Sequence, residues 1–146
     1  MQAPDIARPM PAAGRPVQLH DVRFDPAHDA LAAQIEALAS AADDAIAPAL
    51  ATFERLAAEH FAEEDALMQD VRFASRDCHL DEHAAVLASV RQVRSMLAEG
   101  HREVARRLVR ELARWLPEHV AALDAQLEQA LFRQAHGGGT RLVLHR

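Results

Sequence analysis

The sequence predicts an all-α fold: an antiparallel, up-down-up-down four-helix bundle preceded by an extended N-terminal arm. Three observations carry this. Apolar residues recur at three- and four-residue steps through four successive segments, the period of a helix with one buried face. Alanine, leucine, glutamate and arginine dominate, and all favour helix, while aromatics make up 4% of the chain and tyrosine is absent. All five glycines and four of the seven prolines fall between or outside those segments.

The elements follow in order. Residues 1–24 contain Pro4, Pro9, Pro11, Pro16 and Gly14, a spacing that forbids helix and predicts an arm. Val17, Leu19, Val22 and Phe24 could dock its second half on the bundle. Residues 25–135 form the bundle. Asp25-Pro26 starts the first helix, Asp25 as cap and Pro26 at the first helical position. His28, Leu31, Ile35, Leu38 and Ala42 mark its inner face, and it ends near Asp43. Pro48 is acceptable only near the start of the second helix, where its missing N–H costs nothing. That helix reaches about Asp70 and buries Ile46, Leu50, Phe53, Ala57, His60, Glu64, Leu67 and Val71. The third starts at Ser75 or Asp77, turns His79, His83, Val86, Val90, Val93 and Leu97 inward, and ends at Gly100. The fourth runs from about Arg102 to Gln134 with Val104, Leu108, Leu112, Trp115, His119 and Ala122 inward, and Pro117 should bend it. Residues 136–146, beginning His136-Gly137-Gly138-Gly139, form a tail. Short connections make consecutive helices antiparallel neighbours.

At 146 residues this is one domain with room for a core. A formal net charge of −6 argues against a nucleic-acid partner. No apolar run is long enough to span a membrane, and the N-terminus lacks a signal-peptide core. One cysteine, Cys78, rules out an intrachain disulfide and suits a reducing compartment. A cytoplasmic protein is expected. A protein partner stays open.

The chemistry lies in the histidines. Residues four apart on a helix share one face, so His60 with Glu64, and His79 with His83, can each present two donors in one direction. His28 is alone on the first helix. His119 and Asp124 are five apart, about 140° around an α-helix, so Asp124 must reach sideways. Any one of these residues, taken singly, reads as an ordinary hydrogen-bonded core histidine or a solvated carboxylate. Together, five histidines on four helices lie at the phase of the neighbouring leucines and valines, with two carboxylates beside them. Burying that set without a compensating charge would be very costly, and two divalent cations remove the difficulty. Imidazole with carboxylate suits iron, zinc, manganese or copper. Seven donors exceed the four of a structural zinc site and fit two metals bridged by the carboxylates. The Glu-x-x-His pairs of ferritin-like bundles are missing here.

The set resembles the hemerythrin family, particularly its single-domain bacterial form. The matching stretches are Phe24-Asp25-Pro26-Ala27-His28, His60-Phe61-Ala62-Glu63-Glu64 followed by Leu67-Met68, His79-Leu80-Asp81-Glu82-His83, and Trp115-Leu116 through His119-Val120 to Asp124. They span about residues 22–132. The resemblance implies two non-haem iron ions. His79, His83 and His119 would hold one, His28 and His60 the other, with Glu64, Asp124 and a solvent-derived oxo or hydroxo group bridging them. The second iron would keep one position open for dioxygen, in an apolar pocket for which Leu31, Phe61, Trp115, Leu116 and Val120 are candidates. Each of these also reads as plain core. The implied function is reversible dioxygen binding without catalysis, for storage, delivery or sensing. The alternative is a di-iron enzyme handling nitric oxide or peroxide, or an iron donor for cluster repair. Cys78, His20, His101, His136 and His145 take no role in this scheme.

Overall fold

The computed structural model describes residues 25–70 and 73–135. The expected arm and tail, with His20, His136 and His145, lie outside the described residues, as does Val71. Among the described residues every regular element is a helix and no strand occurs. Helix α1 spans Asp25–Ser40, α2 Ile46–Asp70, α3 Arg76–Ala98 and α4 Arg102–His119. A single π-helical turn, Val120–Asp124, then leads into α5, Ala125–Ala135. The main helix contacts are α1 with α2, α2 with α3, α3 with α4, and α4 with α1. Each long helix thus packs on two others and the four close into a bundle.

The helix ends follow from local chemistry. Pro48 is the third residue of α2, inside the first turn where its missing N–H leaves no gap. Ser75 stands just before α3, and Asp77 puts a carboxylate in the first turn, favourable to the helix dipole. At the other end Gly100 takes φ 96°, a left-handed conformation that suits glycine. Its N–H bonds the Leu97 carbonyl and the His101 N–H bonds the Met96 carbonyl, each at 3.0 Å. This is the paired closure of a Schellman motif. Helix α1 stops at Ser40, three residues earlier than expected, and Ala42 consequently lies exposed in the connection.

The interior has two apolar layers. The larger joins Leu31, Ile35, Leu38, Ile46, Leu50, Phe53, Val90, Leu112 and their neighbours from α1 to α4. The smaller joins Met68, Leu127 and Leu131, with Leu67, Phe73 and Leu80 against them. Polar ties fix the helices at the surface. Gln34 Nε2 donates to the Ala49 carbonyl at 2.8 Å, Arg106 donates to the Ala41 carbonyl at 2.8 Å, and Arg91 and Arg94 both reach Glu54. The exposed arginine pairs with Glu54 contribute at most about 1 kcal/mol each. The apolar layers supply the stability, at roughly 25 cal/mol per Å² buried.

Pro117 lies inside α4 without ending it. The α-helical pattern breaks at Val120 instead, and the break changes which residues face inward. Ala122 was expected on the inner face and is exposed. Asp124, Leu127, Glu128 and Leu131 are buried in its place. The π turn acts as a one-residue insertion that advances the buried stripe by one position.

Candidate metal centre

Between the two apolar layers lies a polar one. Helix α1 supplies His28, α2 supplies His60 and Glu64 one turn apart, and α3 supplies His79 and His83 one turn apart. His119 ends α4, and Asp124 ends the π turn. Glu64 and His79 are 0% exposed, Asp124 1%, His83 and His119 2%, and His60 4%. The His28 side chain is 11% exposed. All seven side chains named from the sequence are brought together.

The π turn answers the spacing problem of the last pair. The Ala125 N–H bonds the Val120 carbonyl five residues back, so residues five apart stack as residues four apart do on an α-helix. His119 Nε2 and Asp124 Oδ1 are consequently 3.0 Å apart. No sideways reach is needed.

The donors form two overlapping groups. Glu64, His79, His83, His119 and Asp124 offer ligand atoms all within 4.8 Å of one another. His28, His60, Glu64 and Asp124 do the same. Both carboxylates belong to both groups. One Glu64 oxygen lies 2.7 Å from His60 Nε2, and the other 3.2 Å from the Nε2 atoms of His79 and His83. Asp124 divides likewise, Oδ2 lying 2.9 Å from His28 Nε2 and Oδ1 2.9 Å from His79 Nε2.

These groups fit metal better than they fit each other. Despite the short distances, all four oxygens of Glu64 and Asp124 are buried without a well-formed hydrogen bond, and so are both ring nitrogens of His79. Polar atoms so placed are expensive unless a cation takes them up. The Nδ1 atoms of His83 and His119 face carboxylates, Asp65 at 3.0 Å and Glu82 at 2.8 Å. A proton on each Nδ1 leaves the two Nε2 lone pairs facing one another at 3.3 Å, a repulsion that only a shared proton or cation relieves.

Protonation has the same logic. Burial lowers the pKa of His28 and of His79, but Asp124 and Glu64 outweigh it and hold both at about 9. Burial likewise lowers that of His119, and Asp124 with Glu82 raises it above the ordinary value. Burial pushes the Glu64 and Asp124 carboxyls up, and the surrounding imidazoles more than reverse this, holding both below the usual carboxylate range. Without metal, protons serve as the counter-charge.

Residues 21–131 match the family model described as hemerythrin HHE cation binding domain. The chain belongs to the hemerythrin family. It is 37% identical over 111 residues to a bacteriohemerythrin of Ralstonia nicotianae, covering 76% of this chain and 81% of the relative. No solved structure matches it. Family membership and the histidine–carboxylate cluster make it a non-haem iron-binding protein.

In this hemerythrin-family chain the expected pocket residues divide. Leu31, Phe61 and Leu116 are buried, while Trp115 and Val120 are half-buried. Phe61 stacks on His83 with ring centroids 3.9 Å apart and planes within 5°. Trp115 stacks on His119 at 4.5 Å. Both aromatic rings therefore lie against the three-histidine group, and Phe61 also leans on His60 at 6.1 Å. Leu31, Leu116 and Val120 belong to the large apolar layer.

Sequence reasoning missed Asp65 and Glu82. Each adjoins a named ligand residue in the chain, and each reads as a solvated helix carboxylate. The available signal was the rule that a ligating histidine gives its other N–H to a carboxylate or carbonyl. Cys78 is exposed and free, outside both donor groups. His101 is also exposed.

Proposed function

We propose that the chain holds two iron ions between its four helices and reversibly binds dioxygen, for storage, delivery or sensing, without turning it over. The observation that carries this is the pair of donor groups sharing Glu64 and Asp124. His79, His83 and His119 serve one ion, and His28 with His60 serves the other, one imidazole fewer. Glu64 and Asp124, common to both groups, would be shared between the ions, with a solvent-derived oxo or hydroxo group as a further shared ligand. Two ferrous ions bring four positive charges. The carboxylates and one hydroxide offset three of them, and a single residual charge is tolerable in a dry interior.

An iron pair supplies two electrons and one open coordination position for dioxygen. The chain's own residues do the rest. Histidine nitrogens from α1 to α4 would hold the ions. Leu31, Phe61, Trp115, Leu116 and Val120 would keep water and anions away from the centre. Short connections support an up-down-up-down course for the helices, with residues 25–135 as the functional unit and residues 1–24 and 136–146 as appendages. The matched bacterial relative, covered over 81% of its length, is named bacteriohemerythrin, which supports the same reading.

The test is spectroscopic. Reduced, iron-loaded protein exposed to air should gain a visible absorption band that disappears on removal of oxygen and returns over repeated cycles. A band that never forms, or steady consumption of oxygen without recovery, would refute reversible binding.

A further inference from the structure

One oxygen atom outside the donor set touches two rings. Glu82 Oε1 accepts the indole N–H of Trp115 at 2.7 Å and lies 2.8 Å from His119 Nδ1. The same indole stacks on the His119 ring, their centroids 4.5 Å apart and planes 30° off parallel. The imidazole is therefore gripped at its face by Trp115 and at its edge by Glu82, while Glu82 grips Trp115 as well. His83 has a simpler arrangement, with Asp65 at its edge and Phe61 on its face. Among the described residues, His79 has no hydrogen-bond partner at Nδ1.

We propose that Glu82 is a positioning residue of the metal centre: through the Trp115–Glu82–His119 clamp it holds His119 with the proton on Nδ1 and Nε2 free toward the three-histidine ion. This rests on the metal-binding reading above. A carboxylate behind an imidazole makes it a stronger donor and fixes its ring, and loss of such a partner weakens metal binding about 10- to 100-fold. Glu82 also lines a groove of about 250 Å³ between α3 and α4, together with Trp115 and Glu111. Its side chain is 35% exposed. The clamp thus joins the buried ligand to the protein surface.

The experiment compares ferrous-ion affinity by anaerobic chelator competition in the full chain. Glu82→Ala should weaken one of the two ions toward 100-fold. Glu82→Gln, which keeps an acceptor oxygen but no charge, should weaken it about tenfold. Glu111→Gln removes a charge from the same groove without touching an imidazole, and should leave both ions unchanged. Unchanged affinity in the Glu82 variants, or an equal loss in Glu111→Gln, would overturn the proposal. Should the Glu82 variants fail to fold, nitrogen NMR of labelled histidines in the zinc-loaded wild type remains. It should show His119 protonated at Nδ1 and metallated at Nε2, and the reverse tautomer overturns the clamp. A wild type that binds two ions while the Glu82 variants match it refutes only this inference. A wild type that binds none refutes the metal reading itself.

Discussion

Removing the metal should make stability depend on pH in a specific direction. His28 and His79 sit at about 9 in the folded metal-free chain, against 6.5 when unfolded. A group held above its unfolded value contributes stability that is complete below pH 6.5 and is lost as pH rises through about 9. For one such histidine the full span is roughly 3 kcal/mol, at 1.36 kcal/mol per pH unit. Both imidazolium groups draw on the same two carboxylates, so roughly 3 kcal/mol is expected for the pair together. Glu64 and Asp124 act with the opposite sign. Held below their unfolded values of 4.5 and 3.8, they stabilise above those values, and the gain is lost as pH falls through their folded pKa values. The metal-free chain should therefore be most stable between about pH 4.5 and 6.5 and lose roughly 3 kcal/mol by pH 9. Urea unfolding followed by helical circular dichroism, at steps from pH 5 to 9, measures this. The iron-loaded chain should not show the alkaline loss, because metal rather than protons then occupies the nitrogens. A flat profile for the metal-free chain would refute the charge balance assigned to the site.

Three further outcomes follow from the same geometry. His83→Ala should drop iron below two per chain by metal analysis, since the three-histidine ion falls to two imidazoles; full iron content would remove His83 from the donor set. Leu31→Ser or Trp115→Ser should speed autoxidation several-fold by admitting water, and an unchanged rate of loss of the oxygenated band would take those residues out of the pocket. Deleting Ala122, the exposed extra residue of the π turn, should restore continuous α-helix with His119 and Asp124 four apart. Iron binding and melting temperature should then hold or rise, and loss of the site would show that the π turn supplies more than phase.

Periodicity read most of this fold and the inward placement of six of the seven clustered side chains, Asp124 excepted. His28, His60, Glu64, His79, His83 and His119 share the phase of Leu31, Phe53, Val86 and Leu112, and all but the half-buried His28 are buried with them. The method failed where the period itself changed. Ala122 follows His119 by the ordinary step, yet the π turn moves Asp124 inward and Ala122 out. Hydrogen bonding from Ala125 to Val120 sets that turn, and no residue type in Val120–Asp124 announces it. Leu127 and Leu131 reach Met68 in the small second layer because the π turn has moved them inward. Asp65 and Glu82 stayed hidden because a partly exposed carboxylate on a helix has the same signature whether it faces water or the back of an imidazole.

A crystal structure of the iron-loaded protein with anomalous data at the iron edge tests the central claim most directly. Two peaks are expected. One should touch Nε2 of His79, His83 and His119, the other Nε2 of His28 and His60, and Glu64 and Asp124 should each reach both. A single peak, or a pair held by other side chains, would contradict the account.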